Sequence, residues 1–260
     1  MAGSALVARL GAVPINPPVT SRFVGVDMAA DPRFTGLAVL AGDSSCVVEE
    51  LCVGVVDADI VRQVETADRV GVDVPLGWPE SFLEVVTAHA AGTLVAPDDT
   101  GPQWRRPLAM RATDREVHRR TGLTPLSVST DRIAHPALRW AGIEARLRKR
   151  GTAVDRAGFE VVCEVYPAAA LRLWGLPYRG YKGRKNVERR AELVVALRER
   201  HPRLEWNGHR DLCLADDNAL DAVLAALIAR DVAQGVCIPP PDDLVELARR
   251  EGWIWLPGPA

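Results

Sequence analysis

The chain has 260 residues, 48% of them hydrophobic, which is enough for one large domain with its own core or for two small ones. A formal net charge of −2 excludes a general basic field that would draw the protein to nucleic acid or an anionic membrane, so any such contact must come from a local patch. Five cysteines, none in a CxxC pair and none spaced with histidine as a zinc site, suit a reduced, cytoplasmic protein, and no apolar run is long enough to span a bilayer.

Residues 1–20 hold Pro14, Pro17 and Pro18 and lack the basic start and long apolar core of a signal peptide; they read as an extended arm before a single domain over residues 21–260. The first strand is FVGVDM, residues 23–28. A turn through DPRF leads to TGLAVLA, residues 35–41, and Gly42 and Asp43 make a tight hairpin into CVVEELCVGV, residues 46–55. Strands joined by such short turns are antiparallel neighbours. Residues 57–67 follow as a helix, with Ile60, Val61 and Val64 at helical spacing and Asp57 as cap. The fourth strand is RVGVDV, residues 69–74, and the strand–helix–strand order makes it parallel to one of the first three.

VPLGWP, residues 74–79, is irregular because of its prolines and glycine. Helices are expected at residues 80–91, 111–121 and 133–150. Residues 92–107, rich in Gly, Pro and Asp, form either a mobile lid or an ordinary surface loop. The basic end of the third of these helices (Arg146, Arg148, Lys149, Arg150) suits a helix C-terminus. FEVVCEV, residues 159–165, is the fifth strand, and Pro167 opens the helix over residues 168–174. Further helices cover residues 192–200 and 216–234, the last stopped by Gly235, and residues 253–256 read as an edge strand.

Carboxylates recur where such a fold exposes strand ends: Asp27 closes the first strand, Asp73 the fourth, and Glu164 lies near the end of the fifth. Asp217 and Asp221 stand four apart on one face of the last long helix, and Asp221 borders the apolar positions Leu220, Val223, Leu224 and Leu227. A carboxylate beside a packed face requires a partner, a hydrogen bond or a cation. Hard divalent cations such as Mg²⁺ or Mn²⁺ take oxygen ligands of this kind. The plain alternative is that Asp216 and Asp217 are a helix cap and a first-turn charge.

Other residues carry paired readings. Arg111 and Asp114 in RATD either pair with each other or leave Arg111 to reach a substrate phosphate. Ser127 and Ser129 line the same cleft, or Ser129, Thr130 or Asp131 caps a helix. RGYKGRKNVERR carries Lys182 and Lys185 as preferred phosphate contacts, with Tyr178 and Tyr181 interleaved for base stacking; the alternative is a solvated loop. Trp78 packs near the cleft mouth, and His118 is a candidate proton-transfer group. No P-loop, dinucleotide fingerprint or GxSxG elbow is present.

GVD followed by TGLAVL, then GVDVPLGWP, RATD, EVYPAAALRLWG and DNALDAVLAALIAR, resembles a family of uncharacterised proteins known as predicted nucleases with a ribonuclease-H-like fold, domain of unknown function 429. The resemblance runs from about residue 22 to residue 257. It implies an α/β fold: a five-stranded mixed sheet, three antiparallel strands then two parallel, flanked by helices, with a helical insertion after the fourth strand. It also implies a metal-dependent phosphodiesterase acting on nucleic acid or a nucleotide-like phosphodiester. Asp27, Asp73 and Asp221 match the places of metal-binding acids in ribonuclease-H-like nucleases. Glu164 matches the EVYP motif and joins them as a candidate catalytic acid; Asp217 is a further candidate metal ligand, and Arg111, Lys182 and Lys185 are candidate substrate contacts. The rival expectation is a module of the same fold that binds or regulates and catalyses nothing.

Overall fold

A computed structural model describes residues 20–259. All of the expected N-terminal arm except Thr20 lies outside them. Among the described residues, no helix is long and apolar enough to cross a membrane, and the five cysteines are free.

The chain opens with β1 (Arg22–Asp27), β2 (Gly36–Ala41) and β3 (Cys46–Val53), then α1 (Asp57–Val64) and β4 (Arg69–Asp73). Helices α2 (Glu80–Ala90), α3 (Pro102–Ala109), α4 (Ala112–Thr121) and α5 (Ala134–Lys149) form the insertion after β4. Then come β5 (Val162–Val165), α6 (Pro167–Leu173), α7 (Val187–Arg200), β6 (Leu204–Glu205), α8 (Arg210–Ala215) and α9 (Asp217–Ala233). The chain closes with β7 (Cys237–Ile238), α10 (Val245–Glu251) and β8 (Ile254–Pro257).

Among the described residues the sheet has eight strands, not five, in the order β6-β3-β2-β1-β4-β5-β8-β7. Its middle five have the expected order and directions: β1 is antiparallel to β2, β2 to β3, and β1, β4 and β5 are parallel. Of the three strands outside those five, β8 is the one expected near residues 253–256, and β6 and β7 have two residues each, which leaves no alternating pattern to read. The segment expected at an edge is interior, because β8 pairs with both β5 and β7. The connection between β2 and β3 spans residues 42–45 rather than two residues, with Gly42 at φ +103°. The Gly/Pro-rich stretch at 92–107 is not wholly a loop, since α3 begins within it at Pro102, a residue pre-set for a first helical turn.

Helices cover both faces. Val24, Val26, Val70 and Val72 pack with residues of α1 and α5 on one side. Phe23, Ala38, Leu40, Cys163 and Val165 pack with α6, α7 and α9 on the other. The basic end of α5 is occupied by acids: Arg146 reaches Asp57, Arg148 reaches Glu144, and Arg150 reaches Glu65.

Helix α9 sits unusually close to the sheet. A Cβ on Gly25 would lie 2.0 Å from the Ala222 carbonyl oxygen, and one on Gly71 would lie 2.5 Å from that of Ala225. Those two glycines are register partners on β1 and β4, so they form a trough into which the helix backbone settles. The alanines at 222, 225 and 226 keep the helix thin on that side. Leu220, Val223, Leu224, Leu227 and Ile228 are buried around the rest of it, so the expected apolar stripe is in fact an apolar girth.

Candidate functional site

The register that aligns Gly25 with Gly71 also aligns Asp27 with Asp73. Two residues further along a strand returns to the same face, so both carboxylates emerge on the α9 side at the C-terminal ends of parallel neighbours. Asp221 lies one turn from Ala225 on α9, and the trough brings it down to the same level. Each of the three offers a carboxylate oxygen, and these oxygens lie within 4.8 Å of one another. Asp221 is 1% exposed; Asp27 and Asp73 are half-buried.

Burial and mutual repulsion dominate the electrostatics. Asp27 is pushed well above the ordinary carboxylate range by burial, then by Asp221 and Asp73. Asp73 is pushed up to about 7, by burial first, with Lys182 opposing and Asp221 and Glu164 adding to the rise. Lys182 places Nζ 2.6 Å from Oδ2 of Asp221, and this contact, backed by Asp73 and Asp27, raises its own pKa. The Tyr181 hydroxyl donates to Oδ1 of Asp221 at 2.8 Å.

Segment 180–183 is shaped to deliver these two groups. Gly180 and Gly183 bracket Tyr181 and Lys182 with φ of +77° and +90°, a region side chains disfavour. The buried Arg190 donates to the carbonyls of Tyr181 and Gly183 on one side and of Leu214 and Ala215 on the other. It thereby ties the loop to the end of α8. Sequence reasoning saw basic residues with aromatics here and missed Tyr181 and Arg190 as supports; the paired glycines around Tyr-Lys were the available signal.

The remaining expected residues do not join the three converging aspartates. Glu164 is in register with Val72, between Cys163 and Val165, so it belongs to the sheet face opposite the three aspartates. Its two oxygens take Arg111 at 2.8 and 2.7 Å and the Leu76 amide at 3.0 Å. Burial raises its pKa and Arg111 opposes that rise.

Arg111 is 1% exposed and uses all five N–H donors: on Asp114, on Glu164 and on the Glu251 carbonyl. In this arrangement no donor is left over for a phosphate, and the alternative reading, pairing with Asp114, is the one seen. Asp217 accepts from the Gly183 amide at 3.0 Å and stands 3.8 Å from Arg190; it anchors the loop and is not one of the three converging acids. Lys185 is exposed on the short turn 184–186.

Tyr181 is buried and cannot stack on a base, while Tyr178 lies under the guanidinium groups of Arg172 and Arg179. Ser127 takes the amides of Ser129 and Thr130 and donates to the Ala109 carbonyl, so it shapes the turn before α5; no side chain caps that helix. Asp216, by contrast, caps α9 through the Asn218 amide. His118 Nδ1 is bound to the Thr124 hydroxyl, and Trp78 packs on the α1/α5 side of the core.

The donor set suits a hard divalent cation. Mg²⁺ holds oxygens at about 2.1 Å, so opposite ligands stand about 4.2 Å apart, close to the spread of the three aspartates. Three acids at this spacing repel one another, and a cation removes the penalty. A cavity of about 250 Å³ opens beside them, with Asp73 and Lys182 on its lining.

No curated protein and no solved structure matches the chain. A family model described as "Protein of unknown function (DUF429)" matches residues 25–245, which includes all three aspartates, Lys182 and the Arg111–Glu164 pair. The chain is therefore a member of the DUF429 family.

Proposed function

We infer that the chain is a divalent-metal-dependent hydrolase of phosphodiesters, acting on nucleic acid or a nucleotide-like substrate. The observation that carries this reading is the convergence of Asp27, Asp73 and Asp221 within 4.8 Å. The order and directions of the five middle strands support a ribonuclease-H-like core, with acids at the ends of the first and fourth strands and on a helix against them. When bound, Mg²⁺ or Mn²⁺ supplies Lewis acidity toward the phosphoryl oxygens and acidifies a water for attack on phosphorus.

The chain's own residues then have distinct tasks. Asp27, Asp73 and Asp221 would hold the cation beside the cavity. The Tyr181 hydroxyl fixes the Asp221 carboxylate through Oδ1 and leaves Oδ2 free to ligate once Lys182 departs. Lys182, with its side chain 55% exposed at the cavity, reaches a phosphate oxygen and balances its charge. The Arg111–Glu164–Asp114 network holds the strand end that follows Asp73, through the Leu76 amide.

A second reading, a module that binds but does not turn over, is favoured by one observation: Lys182 already neutralises Asp221. Titration with Mn²⁺ separates the two. A catalytic centre binds Mn²⁺ stoichiometrically and loses it in Asp27→Asn and Asp73→Asn. A silent module shows no site that depends on those residues.

A further inference from the structure

The cavity beside the three aspartates has a chemically mixed lining. Asp73 and Lys182 are its charged members near the acids, where the phosphate reading places the reacting group. The walls are Pro75, Leu126, Ile133, Tyr166, Ala168 and Ile254, contributed by the exit of β4, the α4–α5 connection, the start of α6 and β8. Arg111 and Glu164 also border it, but they are saturated by each other and by Asp114, so they present no free charge. The volume of about 250 Å³ falls below the range of about 300–1,000 Å³ usual for drug-sized ligands, so it takes one ring system and not an extended group.

We propose that this cavity receives a single unpaired nucleobase of the substrate, stacked against Tyr166, with the attached phosphate held by Lys182 and by the divalent cation that the aspartates would bind. This rests on the hydrolase reading and narrows its substrate to mononucleotide-like or single-stranded phosphodiesters. Lys182, together with a divalent cation held by the three aspartates, fits an anion, and the apolar lining fits the flat face of a base; sugar and phosphate alone would leave it uncovered. A paired base can enter only after extrusion from its duplex, which costs a few kcal/mol. Stacking on an aromatic side chain contributes about 1–3 kcal/mol per base and tolerates any sequence. The net charge of −2 agrees with a local pocket rather than a long basic groove for a duplex.

The test is calorimetric titration of the full chain in Mn²⁺ with adenosine 5′-monophosphate, ribose 5-phosphate, p-nitrophenyl phosphate, and one oligonucleotide as single strand and as duplex. The nucleotide binds at least about tenfold more tightly than ribose 5-phosphate, a stacking contribution of about 1.4 kcal/mol. Tyr166→Phe keeps that preference, and Tyr166→Ala and the cavity-filling Ala168→Trp remove it. The single strand outcompetes the duplex. Equal affinity for the two sugar phosphates overturns the proposal, as does a preference that survives both Tyr166→Ala and Ala168→Trp in folded protein. Tighter binding of the duplex, or of p-nitrophenyl phosphate over the nucleotide, also overturns it, as does failure to bind any of these ligands. The Mn²⁺ resonance spectrum of the same samples keeps the two levels apart. Bound Mn²⁺ without base preference defeats the cavity proposal alone, whereas base preference without bound Mn²⁺ defeats the hydrolase reading alone.

Discussion

Nζ of Lys182 lies 2.6 Å from Oδ2 of Asp221, so one of the three converging carboxylates already holds a cation supplied by the chain itself. Two cations cannot share that oxygen at low cost, because like charges a few ångströms apart repel strongly in a partly desolvated site. Lys182→Ala therefore tightens Mn²⁺ binding by about tenfold, or about 1.4 kcal/mol, while slowing any phosphodiester turnover. Titration followed by the Mn²⁺ resonance signal reads the first effect. Unchanged or weaker Mn²⁺ binding in the variant contradicts the competition.

The trough under α9 predicts a severe effect from one methyl group. In Gly25→Ala the new Cβ meets backbone atoms of Ala222 and Ala226 at 2.0 and 2.2 Å, and backbone cannot move aside as a flexible side chain can. The variant loses about 3 kcal/mol or more of stability in urea unfolding. Asp221 is lifted away from Asp27 and Asp73, so Mn²⁺ affinity falls in whatever protein remains folded. Wild-type stability for Gly25→Ala contradicts the close packing.

Glu164 and Arg111 act through structure in this account. Arg111→Met leaves Glu164 and Asp114 buried without their partner and costs about 3–5 kcal/mol. Glu164→Gln keeps some of the hydrogen bonds and costs less. Neither variant, where folded, loses the Mn²⁺ site, because Glu164 lies on the other face of the sheet. Loss of Mn²⁺ binding in folded Glu164→Gln assigns that residue to the metal centre instead.

The raised pKa values of Asp27 and Asp73 fix the direction of a pH effect. Asp73 titrates near 7 in the metal-free fold against about 3.9 in an unfolded chain, so the folded state holds the extra proton between those values. Stability of the metal-free protein therefore falls as pH rises from about 4 to 7, and Asp27 acts in the same direction. Asp73→Asn flattens this slope and melts at a higher temperature than wild type at pH 8. Mn²⁺ binding runs the other way: it weakens as pH drops below about 7, because protons compete for the same oxygens. Melting curves across pH with and without Mn²⁺ check both signs.

Much of this architecture was legible in the sequence. Short apolar runs and short turns marked the five middle strands, and the strand–helix–strand order made β4 parallel to one of the first three, which the structure shows to be β1. Asp27, Asp73 and Asp221 were readable because each closes a buried run or borders one. The two-residue strands β6 and β7 were not, since two residues carry no period, and β8 was read as a strand but not as an interior one. The mutual pairing of Glu164 and Arg111 was not legible for a different reason. Strand parity puts Glu164 on the opposite face from Cys163, but that face could be related to Asp73 only once the register of β5 against β4 was known. The burial of Tyr181 and the loop-tying role of Arg190 depend on long-range contacts with α8 and α9 that no local pattern records.

Turnover in Asp27→Asn tests the central claim most directly. Hydrolysis of bis(p-nitrophenyl) phosphate and of a single-stranded oligonucleotide is measured for wild type and variant at equal Mn²⁺, with circular dichroism confirming the fold. The account predicts Mn²⁺-dependent hydrolysis by wild type and its loss, by at least about a hundredfold, in a folded variant. Undiminished turnover in Asp27→Asn, or a wild-type protein that neither binds Mn²⁺ nor hydrolyses either substrate, contradicts it.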